Sequence, residues 1–296
     1  MLRFTSFRTI RHLLIISLIL VFLATAGFAR AAGPTTVGLG SATNFAILAG
    51  SGITNTGSTI ITGDVGTYPT PSETGFGSVT LNGTNQAGDT LTQGAKTDLT
   101  NAYIDAAGRT PVSTIPTELG GSTLTPGVYN SSAGTFGITG TLTLDGQGDP
   151  NAVFIFQMAS TLITASASNI VLTGSANSCN VFWQVGSSAT LGTTSHLVGS
   201  VLALTSITAD TSATVDGRLL ARNGAVTLDT NTVTRPACTT VAATVPTTST
   251  TTTPGLPKTG FNPIDNKTPW GLVIGLFLVT LSASYLVRQL HILKKI

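Results

Sequence analysis

The sequence predicts a mainly β protein: a β-solenoid with one long α-helix packed alongside. Three observations carry that prediction. Short runs rich in β-branched and aromatic residues occur at residues 152–157 (AVFIFQ) and 180–185 (NVFWQV). A four-residue pattern recurs at nearly constant spacing: Thr190-Leu191-Gly192-Thr193 returns eighteen residues later as Thr208-Ala209-Asp210-Thr211, and nineteen later again as Thr227-Leu228-Asp229-Thr230. One segment breaks the β pattern with helical periodicity.

The repeat extends beyond threonine. Gly199 recurs as Gly217, Leu197 as Val215, Val201 as Leu219 and Ala203 as Ala221. A repeat of this length with several short strands reads as one solenoid coil, burying its face on the next coil. Stacked strands lie about 4.8 Å apart, so equivalent residues form ladders up the stack.

The exception covers residues 85–108. Leu91, Ala95, Leu99, Ala102 and Ala106 follow one another at steps of four, four, three and four, the stripe of an amphipathic helix. Asn85 is the expected N-cap, and Gly108 with Pro111 marks the end. A narrow stripe rich in alanine predicts close packing along a flat β-surface.

Both ends of the 296-residue chain read as targeting segments. Residues 1–31 carry Arg3, Arg8 and Arg11, an apolar run over 13–26, and Ala29-Arg30-Ala31 as a cleavage pattern, which together form a secretory signal. The mature chain is expected to begin near Ala32; an uncut signal anchor is the alternative. At the other end, residues 270–287 form an apolar run long enough to span a membrane, followed by Arg288, Lys294 and Lys295. Upstream of it, Leu256-Pro257-Lys258-Thr259-Gly260 resembles the LPxTG sorting signal that sortase joins to the cell wall, and residues 256–296 hold its three parts in order. That resemblance implies a cut between Thr259 and Gly260. The nine residues between motif and span make a long gap, and a plain membrane anchor is the alternative. Residues 239–258, almost entirely Thr, Pro, Ala and Val, read as an extended stalk.

The folded domain is therefore residues 32–238. It holds five basic residues against eleven acidic ones, a formal net charge of −6, although the whole chain is +2. Nucleic acid and anionic lipid need basic patches and are excluded as ligands of the domain, which leaves membrane contact to the terminal segments. No cofactor motif is present. Cys179 and Cys238, an even pair in an exported domain, are expected to form one disulfide tying the domain's end onto its body.

Long stretches of the chain resemble one family. They include LGSATNFAILAGSGITNTGSTIITGDVG, TDLTNAYIDAAGRTP, GDPNAVFIFQMASTLITASASNIVL, CNVFWQVGSSATLG and LALTSITADTSATVDGRLLARNGAVTLDTNTVT. Together they cover about residues 36–233 and are similar to the bacterial and fungal ice-binding proteins. The resemblance implies a right-handed, discontinuous β-solenoid of roughly triangular cross-section. Its expected chain order is a β portion, the helix covering one face, then the remaining coils. A flatter face is expected to bind ice crystals as a monomer, with sortase and the cell wall as the other partners.

Ice offers no pocket, charge or functional group, so affinity must come from a rigid, flat array that orders water. Threonine suits this with its apolar methyl and its hydroxyl, and a rigid solenoid loses little entropy on binding. Some members of the family carry a Thr-Ala/Gly-x-Thr/Asn pattern. Thr208 to Thr211 fits it; Thr190 with Thr193, and Thr227 with Thr230, fit its outer positions. Strand alternation puts Thr208 and Asp210 on one side, and Thr211 joins them only if the chain bends after Asp210. Thr164 and Ser166 are expected to extend the ladder. Ordinary β-forming threonines on an exposed face are the plain alternative.

Two other functions are weighed. A polysaccharide-active β-helix enzyme could draw on Asp210 and Asp229 at equivalent positions, with Arg218 and Arg222 on the neighbouring strand. A metal site wants more oxygen ligands, however, and His196 reads as a solvated loop residue. An adhesin for sugar or protein would expose aromatic residues, whereas Trp183 lies in an apolar strand and is expected in the core. A non-enzymatic ice-binding protein is the reading that survives.

Overall fold

The computed structural model describes residues 33–238. The expected signal (1–31), stalk (239–258), sorting signal (256–296) and span (270–287) lie outside the described residues. Among the described residues no helix is long and apolar enough to cross a membrane.

Parallel strands stack into coils, and each coil visits three faces. One face is a seven-stranded sheet in the order Phe136–Ile138, Leu162–Thr164, Ala189–Leu191, Ile207–Ala209, Ala225–Asp229, Gly52–Thr56, Glu73–Thr74. We call it the ladder face. A fourteen-stranded sheet folds around to make the other two. Its bend is visible in the long strands His196–Ala203 and Thr214–Ala221. Their first halves continue the row of Asn169–Thr173, and their second halves continue the row of Val181–Val185. The bend falls at Gly199, which has φ +102°, and Gly217 stacks directly on it. A Cβ on Gly217 would lie 1.8 Å from the Gly199 carbonyl oxygen, so this corner admits only glycine.

The interior is apolar and tightly filled. Leu197, Val215, Val201 and Leu219 point inward from both halves of the long strands, facing Leu191, Ile207 and Val226 from the ladder face. Trp183 is fully buried, stacked on Phe156 at 4.1 Å, and its indole nitrogen donates to the Val198 carbonyl at 2.9 Å.

The coils are not stacked in chain order. Gly52–Thr56 pairs with Ala225–Asp229, Phe45–Ala49 with Thr214–Ala221, and Thr59–Thr62 with Thr232–Thr234. The N-terminal coils thus sit on top of the C-terminal one, and Asp64–Thr67 and Val79–Asn82 are the outermost strands there. The next coil, starting at Ser113–Thr114, lies at the opposite end of the stack.

The helix Thr90–Gly108 bridges that distance. Its 19 residues rise about 28 Å, close to the roughly 34 Å across eight stacked strands. It buries Thr92, Ala95, Leu99, Ala102 and Ala106 against Phe45, Leu48, Phe182, Leu202 and Leu220 on what we call the helix face. Lys96 Nζ donates to the carbonyls of Ala221 and Arg222 (2.6 and 2.5 Å), and Gln157 Nε2 donates to those of Ala106 and Arg109. Two expectations are corrected. The N-cap is Asp89, whose carboxylate accepts from Thr92 N at 2.7 Å, while Asn85 closes a local turn onto Ala87 N. Leu91 is exposed, and Thr92 takes its place in the stripe.

Cys179 and Cys238 are disulfide-bonded, with Cα atoms 5.6 Å apart. Cys179 sits in the turn Ser178–Asn180, where the third face meets the helix face.

Candidate functional face

The ladder face takes its character from strand register. Ile207, Val226 and Ile53 pair in one row and point inward, and Ala209, Leu228 and Asn55 do the same two positions on. The residue between must then face out. The outward row runs Gly137, Ile163, Thr190, Thr208, Thr227, Thr54, Thr74. Five threonines stand in uninterrupted succession, spaced about 4.8 Å apart by the sheet. None of their five hydroxyls is hydrogen-bonded to another described residue, so all are free for water. Ser188 and Ser206, which precede Thr190 and Thr208 by two positions, keep the neighbouring row small and polar.

A recurring turn follows the ladder strands. Ser168 N donates to the Ala165 carbonyl, Ser195 N to Gly192 and Ala213 N to Asp210. The third residue of each turn is left-handed without being glycine: Ala167, Thr194 and Ser212, at φ 56–61°. Each turn therefore presents its second residue, Ser166, Thr193 or Thr211, to solvent. This is the bend that an outward Thr211 requires: the strand ends at Ala209, and half-buried Asp210 already opens the turn.

Two expected positions differ. Thr164 does not extend the ladder. It pairs with Leu191, points inward and is 3% exposed; its hydroxyl accepts from Gly192 N (3.0 Å) and donates to Ser195 Oγ (3.2 Å). Its neighbour Ile163 holds the outward place, because a one-residue slip in a strand reverses the face. Thr230 is exposed but not equivalent to Thr193 and Thr211. The last coil reaches Thr232, the partner of Thr214, one residue sooner, and Thr230 itself becomes left-handed (φ 56°).

Thr54 and Thr74 were not among the expected residues. Their coils precede the helix, so no 18- or 19-residue step leads to them. The signal present is local: Ile53-Thr54 repeats the inward β-branched residue plus threonine of Ile207-Thr208 and Val226-Thr227.

The third face also carries threonines, including Thr80, Thr232, Thr214 and Thr141, but its outward row is broken. Ile60, His196 and Asn169 interrupt it, and His196 Nδ1 lies 2.9 Å from Thr214 Oγ1. His196 is half-buried and begins a strand, contrary to the expected loop. The helix face is covered. Arg218 is fully buried there, donating from Nε to the Thr43 carbonyl at 3.1 Å, while Asp210 and Asp229 lie at the rim of the ladder face. The acids and the arginine of the enzyme reading thus belong to different faces. Among the described residues no cluster of His, Cys, Asp or Glu could hold a metal ion.

Coils that visit three faces out of chain order, a helix closing one face and a free threonine ladder on another define a class of protein. The chain belongs to the Ice-binding-like family, whose match covers residues 47–234. An ice-binding protein of Nostoc sp. (strain HG1) is 48% identical over 220 residues, covering 73% of this chain and 81% of its own. Among solved structures, an ice-binding protein from an Antarctic biological consortium is similar with a TM-score of 0.68 and 48% identity, over 69% of this chain and 93% of its own. The ice-binding protein of the Antarctic ascomycete Antarctomyces psychrotrophicus is similar at 0.66 and 45% identity, over 69% of this chain and its entire length.

Proposed function

We propose that the chain binds ice through the ladder face and performs no catalysis. One observation carries the reading: five consecutive outward threonines, from Thr190 to Thr74 in stacking order, with free hydroxyls on a rigid sheet. The ice-binding names of its relatives give the same direction. A methyl-and-hydroxyl array at fixed spacing can hold a layer of ordered water without pocket, charge or metal. Binding then freezes few side chains, since the sheet is already rigid. The test is ice-affinity partition of the purified protein, together with the shape of crystals grown in its presence. Faceted crystals and enrichment in the ice fraction are expected; unfaceted discs at high protein concentration overturn the reading.

We further propose that the protein is exported and held at the cell surface. The support is the order of the terminal segments: signal at 1–31, stalk at 239–258, and Leu256, Pro257, Thr259 and Gly260 ahead of the apolar run 270–287. Many tethered copies would engage one crystal together, so modest single-site affinity suffices to attach a cell to ice. Changing Leu256 and Pro257 to Ala is expected to move the protein from the wall fraction to the medium with its ice activity intact. Wild-type protein found mainly in the medium, lacking its C-terminal segment, overturns the tether.

A further inference from the structure

Thr211 and Thr230 differ from the free threonines of the ladder in one respect: both are bonded to the same carboxylate. Thr211 Oγ1 donates to Asp229 Oδ2 at 2.5 Å across adjacent coils, and Thr230 Oγ1 donates to Asp229 Oδ1 at 3.0 Å within its own turn. Asp229 is itself half-buried and well fixed. Its backbone N donates to Asn231 Oδ1 at 2.7 Å, its carbonyl accepts from Ser212 N, and Asn231 Nδ2 reaches back to the Asp210 and Ala213 carbonyls. On the other side, Gly57 leaves the space these groups occupy. A Cβ there would lie 2.3 Å from Thr230 Oγ1.

A threonine hydroxyl has one proton. Once that proton is given to Asp229, the hydroxyl can only accept from outside, and χ1 is fixed by the bond. We propose that Asp229 is a positioning residue for ice binding: its carboxylate locks Thr211 and Thr230, so the rim of the ladder meets water with two fixed methyls and two fixed acceptors. This rests on the ice-binding reading of the ladder face. It separates two kinds of threonine, those with free hydroxyls along the central row and those with bonded hydroxyls at the rim. It also gives the charge on this edge a use, since each carboxylate oxygen of Asp229 accepts from one of the two hydroxyls.

The experiment compares the full protein with Asp229→Ala and Asp229→Asn. Three-bond couplings at Thr211 and Thr230 report χ1 by NMR, and crystal shaping with ice partition reports binding. The wild type is expected to show one χ1 rotamer at each position. In Asp229→Ala both should average, with ice partition roughly fivefold weaker, the effect of two newly mobile side chains. Asp229→Asn keeps one accepting oxygen and offers a donating nitrogen in place of the other, so one threonine turns from donor to acceptor through a weaker neutral bond, and the variant should fall between. Asp229→Ala is then compared in a Thr211→Val, Thr230→Val background, where it should add nothing further. If Asp229→Ala alone fails to fold, the couplings and ice partition of Asp229→Asn decide the case. A wild type that does not shape ice overturns the ice-binding reading itself. A wild type that does, alongside an Asp229→Ala protein with full activity or with both rotamers still fixed, overturns the positioning role alone.

Discussion

Thr54 and Thr227 stand side by side on the ladder face, in register on adjacent strands, although nearly the whole folded chain separates them in sequence. The N-terminal coil therefore completes a surface begun by the last one. Thr54→Tyr is expected to remove most ice activity, as Thr208→Tyr should, because a ring on either position breaks the flatness of one continuous row. The site is exposed, so stability should change by no more than about 0.5 kcal/mol. Crystal shaping and thermal unfolding measured together check this; full activity in Thr54→Tyr would place the N-terminal coil outside the binding face.

Thr164 gives the opposite expectation. Its hydroxyl bonds inside the solenoid, so Thr164→Val should cost about 1 kcal/mol of stability and leave ice activity per folded molecule unchanged. Loss of activity at unchanged stability would contradict its inward orientation.

Lys96 predicts a pH dependence. Burial in the helix seam, and then repulsion from Arg222, lowers its pKa from 10.5 to about 8. The folded state thus releases this proton before the unfolded state does. Between pH 8 and 10.5 the unfolded chain holds more protons, and stability rises with pH across that window. The full gain is about 3 kcal/mol. Unfolding of the wild type and of Lys96→Met, followed across that window, isolates it: the wild type should gain relative to the variant. A parallel pair of curves would show that Lys96 titrates normally.

The disulfide closes a loop with a sequence separation of 59 residues. Chain-entropy arguments give about 4 kcal/mol for such a loop, so Cys238→Ser should unfold at distinctly lower denaturant concentration. Two free thiols found by mass spectrometry in exported protein would remove the basis for that difference.

The sequence shows the coils where they follow one another. Thr190, Thr208 and Thr227 announce themselves because consecutive coils repeat at nearly fixed steps and each places its threonine at the same point. Thr54 and Thr74 stay hidden, since a pairing between the two ends of the chain leaves no spacing to read. Thr164 misleads because threonine suits either side of a strand; only its pairing with Leu191 shows which way it points. Thr230 misleads for a different reason: one residue fewer in its turn changes its backbone conformation. At the helix start, Asn85 and Asp89 are both competent caps, and the choice falls to Asp89 because it reaches Thr92 N. The locking of Thr211 by Asp229 joins adjacent coils, so it becomes visible only once strand register is known.

The position of the disulfide has a mechanical consequence. Strand Thr232–Thr234 lies inside its sheet, between Thr214–Ala221 and Thr59–Thr62. A pull on the chain beyond residue 238, if it acted directly, would peel this strand from between its neighbours and open the join of the N-terminal coils on that one face. The Cys179 bond diverts that load. Force enters instead at the turn Ser178–Asn180, beside the interior strand Val181–Val185 and on the edge of the prism opposite the threonines. Strand Thr232–Thr234 is thereby kept out of the line of tension, and the threonine ladder lies on the face opposite the edge where Cys238 is bonded.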